Sequence, residues 1–180
     1  MSDARFSQKM GEELNKQMTR EANAAQFYVS FGSWAEVQGF DGIATFLYHH
    51  AEEERKHMMK FLAFINLRGG HCKITALDTP PADPANLEDL FNKVLAQEVN
   101  NSAHINNLVD LAFAEKDYPT NSFLQWFVKE QIEEEALASK LVDQMKVIGE
   151  DSGNRGGLYE FDQNIASLHE EAIARDAAEN

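Results

Sequence analysis

The sequence has one cysteine, no long apolar run and few basic residues. A lone cysteine, Cys72, cannot form an internal disulfide, which favours a reducing compartment. No uncharged apolar stretch approaches the roughly 18 residues of a membrane span, and the first residues carry no basic segment followed by an apolar one, as a secretory signal would. We therefore expect a cytoplasmic protein with no membrane partner.

Basic residues are outnumbered, with 16 lysines and arginines against 30 aspartates and glutamates, so the net charge is -14. This charge repels nucleic acid and anionic lipid, and it concentrates cations near the protein. We expect no nucleic-acid partner. A chain of 180 residues with 43% hydrophobic content can bury a real core, and we expect one domain spanning residues 1–180.

Proline is also scarce, and three of the four prolines lie in one segment, residues 71–86. Glycines and prolines elsewhere divide the chain into helical stretches. They predict helices at about 3–37, 41–68, 86–115, 119–148 and 158–174. Short turns make the first two helices and the next two antiparallel neighbours, whereas residues 71–86 are long enough to cross the whole bundle. The sequence therefore predicts an all-α four-helix bundle with one long crossover and a short fifth helix.

Each of the four long helices carries a glutamate where its apolar repeat predicts a core residue. In the first helix the repeat of three or four residues includes Leu14, Ala25 and Tyr28 and is interrupted by one acid. These mid-helix acids are Glu21, Glu54, Glu98 and Glu134. Antiparallel packing would bring them to one depth, where unpaired carboxylates are costly. A pair of metal ions would offset that cost.

His57 follows Glu54 by three residues and so shares its helix face. A single exposed glutamate on a helix is common. Four apolar repeats that are each interrupted by a glutamate, together with the Glu54–His57 pair, argue against a chance arrangement of surface acids. No lysine or arginine lies on the stripes to form a buried salt-bridge network instead. Carboxylates with one imidazole suit iron or manganese, and the absence of cysteine ligands argues against structural zinc. The sequence therefore predicts a buried dinuclear site.

Over almost its whole length the chain resembles the prokaryotic non-haem ferritins. The resemblance is carried by LNKQMTREANAAQFY, FLYHHAEEERKHM, YPTNSFLQWFVKEQIEEE and GLYEFD. It implies a ferroxidase that oxidises Fe(II) with O2 or H2O2 and stores ferric mineral inside a hollow shell of 24 copies. Bacterioferritins carry a haem-ligating methionine between the second-helix ligands, where this chain has Arg55 and Lys56, so no haem is expected.

The resemblance also implies a role for each acid of the predicted centre. Glu21, Glu54 and His57 would hold the first iron, while Glu54, Glu98 and Glu134 would hold the second. Glu54 would bridge the two ions. Gln131 stands where a second Glu-x-x-His motif would begin and Glu134 where its histidine would be, so the two metal positions are unequal in their ligands.

A third iron site is implied by the same resemblance. Its acids would be Glu53, Glu130 and Glu133, with Glu134 shared between this site and the di-iron centre. Acidic runs are usually solvated, so without the resemblance these residues would be assigned to the surface.

Three further side chains near the predicted centre have two interpretations each. By the resemblance, Tyr28 and Trp126 match aromatic residues near the iron centre of ferritins that supply an extra electron. Both residues fit core packing equally well. His50 lies one turn before Glu54, and a core histidine is favoured there over a partner of the ligands. Two alternatives to a ferritin stay open: a di-iron or di-manganese oxidase or peroxidase, and a structural bundle that binds no metal.

Overall fold

The computed structural model describes residues 4–149 and 155–165, and in these ranges every regular element is an α-helix. The helices are α1 (Gln8–Val37), α2 (Asp41–Leu67), α3 (Leu87–Glu115), α4 (Tyr118–Ile148) and α5, described over residues 155–165. Helix α1 packs on α2, α3 packs on α4, and α1 also contacts α3. The predicted all-α bundle with a short fifth helix is therefore confirmed.

Two predicted helix starts are wrong. Helix α1 begins at Gln8 and not near residue 3, because the Ser7 side chain accepts a hydrogen bond from the Met10 amide at 3.0 Å and caps the helix. Helix α5 is already helical at residue 155, so a start at 158 is too late. Two glycines led us to assign this stretch to a loop, but a glycine costs a helix only about 1 kcal/mol. The predicted end near 174 lies outside the described residues.

The other helix ends follow local sequence signals and agree with the predicted bounds to within one residue. The Asn86 side chain accepts from the Asp89 amide at 2.8 Å, and Asp89 accepts from the Ala85 amide at 2.8 Å. This resembles a capping box in which the returning bond reaches one residue further back. At the end of α1, Gly39 adopts a φ of +84°, which suits glycine and turns the chain into α2.

The core consists of two apolar clusters, one at each end of the bundle. The Phe31 cluster joins the end of α1, the starts of α2 and α3, the end of α4 and α5. The Phe61 cluster joins the start of α1, the end of α2, the end of α3 and the start of α4. Each cluster thus combines opposite ends of paired helices, as antiparallel packing requires. The middle of all four long helices lies between the clusters.

The crossover between α2 and α3 runs along α1. Asn15 accepts a hydrogen bond from the Lys73 amide at 2.6 Å, and Asn23 exchanges two hydrogen bonds of 2.9 Å with Asp78. This path returns the chain to the end of the bundle where α2 began, so α2 and α3 run in parallel. Within the described residues, no helix has the length and apolar character needed to cross a membrane.

Helix α5 is fixed to the start of α2. The Asp162 side chain accepts a hydrogen bond from the Ile43 amide at 2.9 Å, and the Asp162 carbonyl lies so close to Gly42 that a Cβ there would clash. Phe161 packs edge-on against Phe91, with ring centroids 5.6 Å apart. Since Phe40 gives α2 no side-chain cap, Asp162 supplies an acceptor to the first turn from a different helix.

Candidate metal centre

Four acids lie in the polar layer between the two apolar clusters. Glu21, Glu54 and Glu98 are 0%, 5% and 1% exposed, and the side chain of Glu134 is 15% exposed. Each comes from a different long helix, as the interrupted stripes predicted. The sequence thus predicted the interior position of these four acids.

The first group of possible ligands consists of Glu21, Glu54 and His57. One ligand atom from each lies within 4.8 Å of the other two, and all three side chains are buried. The Nδ1 atom of His57 is 3.2 Å from the Glu54 Oε2 and 3.9 Å from the Glu21 Oε2. Helix α2 brings Glu54 and His57 to one face, and α1 supplies the second carboxylate across the interface. A cation between them would have two oxygen ligands and one nitrogen ligand.

Glu98 is held on both sides by hydrogen-bond donors. The Tyr28 hydroxyl donates to one carboxylate oxygen, and the Gln131 side-chain nitrogen lies 3.3 Å from the other. The same nitrogen donates to the main-chain carbonyl of Glu98 at 3.2 Å. Gln131 therefore acts here as a donor to an acid, and its carbonyl oxygen accepts from Asn101.

A second group, the outer group, consists of His50, Glu53 and Glu134. The Nδ1 atom of His50 lies 3.5 Å from the Glu53 Oε2 and 3.5 Å from the Glu134 Oε2. His50 is buried and also stacks on the Tyr28 ring at 5.3 Å. Sequence reasoning favoured a core histidine here and gave it no ligand role. The available signal was its spacing of three residues before Glu53, which places both on one helix face.

The acids expected at a third site occupy different environments. Glu130 Oε1 is 3.9 Å from His57 Nε2, on the far side of the imidazole from Glu54. The side chain of Glu133 is 49% exposed and lies 3.9 Å from Lys129. Glu53 joins the outer group, so Glu53, Glu130 and Glu133 do not form one three-acid cluster in the described part of the chain. Their joint role at a third site stays a prediction.

The electrostatics of the layer favour binding of cations. Burial raises the pKa of the carboxyl groups of Glu21, Glu54 and Glu134 well above their usual value, and neighbouring acids raise it further. Burial also raises the pKa of Glu98, although hydrogen bonds from Tyr28 and Gln131 oppose the shift. Without a cation, these acids therefore retain protons at pH values where exposed carboxyls have lost them. A bound cation would displace these protons.

The two aromatic residues singled out in the sequence have different contacts. Burial and the nearby acids raise the pKa of the Tyr28 hydroxyl well above its usual value. Trp126 packs edge-on against His57 with ring centroids 5.3 Å apart, and the Lys60 Nζ lies 2.9 Å from the centroid of the indole ring. An ammonium group over an indole ring disfavours removal of an electron from it. Tyr28 thus contacts the centre through a hydrogen bond to Glu98, whereas Trp126 contacts it only through the His57 ring.

Comparisons with known proteins identify the family of the chain. The family model of the ferritin-like domain matches residues 11–148. The bacterial non-haem ferritin of Campylobacter jejuni is 40% identical over 155 residues, covering 86% of this chain and 91% of that protein. The bacterial non-haem ferritin of Escherichia coli is 35% identical over 159 residues, covering 88% of this chain and 94% of that protein.

Solved structures give the same result. An open-pore ferritin from the hyperthermophilic archaeon Archaeoglobus fulgidus superposes with a TM-score of 0.86 at 37% identity, covering 89% of this chain and 98% of that one. The matched residues include all four helices that carry the polar layer. The chain therefore belongs to the ferritin family, among the bacterial non-haem ferritins.

Proposed function

We propose that this protein is an iron-storage ferritin that oxidises Fe(II) at a dinuclear centre within each subunit. The observation that carries the proposal is the meeting of buried Glu21, Glu54, Glu98 and His57 with nearly buried Glu134 in one layer. These four acids have raised pKa values and contact amides, a phenol and an imidazole. Burying them lowers the stability of the fold unless cations occupy the layer. Iron(II) is the substrate whose charge and ligand preference match this donor set.

In this proposal Glu21, Glu54 and His57 bind the first Fe(II), and Glu54, Glu98 and Glu134 bind the second. The bridging role of Glu54 is supported by its two neighbours: it is hydrogen-bonded to Glu21, and the charge of Glu98 acts on it. Gln131 contributes a hydrogen bond to Glu98 and is not itself a ligand. The first position thus has an imidazole, whereas the second has carboxylates only.

The proposed reaction is a ferroxidase step in which the two ions supply electrons. Each Fe(II) loses one electron, and the pair reduces O2 with two protons to H2O2. The chain holds the two ions close together, and its buried carboxyls release their protons when the ions bind. Two electrons leave the metals and two enter O2, so no further reductant is needed.

The proposed third ion lies towards Glu53, Glu130 and Glu133. Glu134 supports a connection between the two sites, because it lies 3.5 Å from His50 in the outer group and its pKa is raised by Glu98, Glu53, Glu54 and Glu130. His50 adds a nitrogen atom to this set. An ion there would lie next to the second position of the centre, on a route along which iron leaves it.

We further propose that residues 1–180 form one domain and that 24 copies assemble into a hollow cytoplasmic shell holding the ferric mineral. The structural relative is described as an open-pore ferritin, which supports a shell with access for ions. A fifth helix fixed by Asp162 supports a defined surface for contacts between copies.

The experiment that tests the function is an aerobic stopped-flow titration of the iron-free protein with Fe(II), followed by near-ultraviolet absorbance. A rapid phase that saturates at about two irons per subunit, followed by slower growth at higher loading, is the expected result. Sedimentation velocity on the same sample measures the number of subunits. An absorbance change no faster than that of Fe(II) in buffer would overturn the ferroxidase proposal, whatever the assembly.

A further inference from the structure

Three buried amide side chains connect the first group to Glu98. Gln17, Asn101 and Gln131 come from α1, α3 and α4 and are at most 4% exposed. Gln17 Nε2 is 2.6 Å from Asn101 Oδ1, and Asn101 Nδ2 is 3.2 Å from Gln131 Oε1. We call these three side chains the amide bridge. They span the bundle on the side of the layer that faces the Phe61 cluster.

The orientation of the first amide is determined by two neighbours of opposite character. The Arg20 guanidinium, which can only donate hydrogen bonds, lies 3.2 Å from the Gln17 Oε1. The Glu21 Oε1 lies 2.7 Å from the Gln17 Nε2. Gln17 must therefore direct its oxygen at Arg20 and its nitrogen at Glu21, and its second N–H is left for Asn101.

This orientation passes to the next two amides in turn. Because Gln17 donates to it, Asn101 must present its oxygen there and its nitrogen to Gln131 and to Glu21, whose Oε2 is 3.5 Å away. Gln131 in turn must accept through its oxygen, so its nitrogen faces Glu98. A reversed amide at any step would oppose two donors or two acceptors in a buried site, which costs about 1–3 kcal/mol per unsatisfied group.

From this chain of contacts we infer that Asn101 is a positioning residue for the second metal position. It holds Gln131 as a donor to Glu98 and keeps the amide oxygen of Gln131 turned away from the metal. The same nitrogen lies farther from Glu21 of the first group, at 3.5 Å against 3.2 Å to Gln131, so Asn101 acts chiefly on the second position. The inference rests on the proposed function, because it concerns the ligands of that centre. An apolar residue of the same size would fill the space without transmitting an orientation.

The test uses Co(II) as a probe without oxygen, so that binding is measured apart from oxidation. The wild-type protein should bind two Co(II) per subunit at the dinuclear centre, apart from any ion at the outer group, with visible absorption bands that report the ligands of each ion. Asn101→Leu should leave the first ion within about twofold and weaken the second by about 10-fold or more, the range typical of outer hydrogen-bond partners of a metal site. The bands of the second ion should shift, because the freed Gln131 rotates.

Matched controls separate positioning from general damage. Asn100→Leu makes the same change at an exposed position one residue earlier on α3 and should bind Co(II) as the wild type does. If Asn101 acts through Gln131, then adding Asn101→Leu to a Gln131→Leu background should change the second affinity by less than about twofold. Asn101→Ala replaces the leucine variant in this test if Asn101→Leu fails to assemble. A water molecule in the space left by the amide can accept or donate a hydrogen bond in either direction, so it does not fix the orientation of Gln131.

The outcomes distinguish the two proposals. Unchanged binding and bands in an assembled Asn101→Leu or Asn101→Ala variant would overturn the positioning role while the ferroxidase proposal stands. An effect that persists in full in the Gln131→Leu background would also overturn it, because Asn101 would then act by another route. A wild-type protein that binds no Co(II) and oxidises no Fe(II) would instead remove the proposed function itself.

Discussion

The first group and the outer group each have two carboxylates and one imidazole, yet they differ in position. Glu21, Glu54 and His57 are buried at the centre of the bundle, whereas in the outer group the side chains of Glu53 and Glu134 are 22% and 15% exposed. Burial raises the pKa of both carboxyls in the first group, and in the outer group it raises the pKa of Glu134. A cation in the first group therefore replaces protons in a buried site, whereas a cation at the outer group also competes with water at the partly exposed side chains.

This difference predicts different tasks for neighbouring residues. A buried position with few water ligands retains an ion in a defined geometry for electron transfer, while a partly exposed one exchanges ions more readily. Adjacent acids on α2, Glu53 and Glu54, belong to different groups. The rotation of about 100° between consecutive helix residues thus separates the two groups, which we propose to be a reaction site and a transfer site.

The largest effect is expected from Glu54→Gln compared with Glu53→Gln. Glu54 is proposed to bridge both ions, so its loss should slow the rapid phase by at least about 100-fold. That is the largest effect typical of residues that only hydrogen-bond to a metal ligand. Glu53→Gln should slow it by less than about tenfold and should chiefly slow later additions of iron. Stopped-flow absorbance over repeated additions measures both. Equal losses in the two variants would break the distinction between the groups.

A second comparison uses the two histidines. His57→Ala removes the proposed nitrogen ligand of the first position and should slow the first turnover by about 10- to 100-fold. His50→Ala should leave the first turnover nearly unchanged and slow its recovery after iron is added again. Circular dichroism and sedimentation serve as controls for folding and assembly. If His50→Ala proved the slower enzyme in the first turnover, the outer group would be the reaction site.

The parts of the centre that follow from helical periodicity were predictable from the sequence. Each ligand of the first group occupies a stripe position, and periodicity alone brings such positions to the interior. The partners of Glu134 were harder to predict, because its contact with His50 depends on the separation and rotation of α2 and α4. Gln17 and Asn101 also lie at core positions of the apolar repeats, but their role was not predictable, because a single amide in a sequence does not reveal which way it points.

The stability of the iron-free protein should depend on pH in the direction set by the first group. Glu21 and Glu54 have folded pKa values above their unfolded ones, so the folded state binds more protons between these values and loses stability as pH rises through that window. The slope is about 1.4 kcal/mol per pH unit for each retained proton.

Thermal unfolding of chelator-treated protein from pH 5 to pH 8 measures this slope. Glu54→Gln should reduce the pH dependence of stability by up to the contribution of one proton. Glu52→Gln, at an exposed neighbouring acid, should leave the pH dependence unchanged. Saturating Co(II) should reverse the trend, because a metal ion binds more tightly once the carboxyls are deprotonated. Stability that instead rises with pH in the metal-free protein would mean that the first group is already ionised.

The smallest effect is expected from Tyr28→Phe, because Tyr28 contacts both the outer group and the proposed dinuclear centre. The Tyr28 ring stacks on His50 of the outer group, and its hydroxyl donates to Glu98 at the proposed second metal position. Phenylalanine keeps the stacking and removes only the donor, at a cost of about 1 kcal/mol, or roughly fivefold in binding of the second ion. Anaerobic Co(II) titration measures that loss. Tyr48→Phe, which removes a phenol hydroxyl bonded to exposed Glu36, is the matched control and should change neither ion. A much larger loss, affecting both ions equally, would show that the two groups act as one unit through this ring.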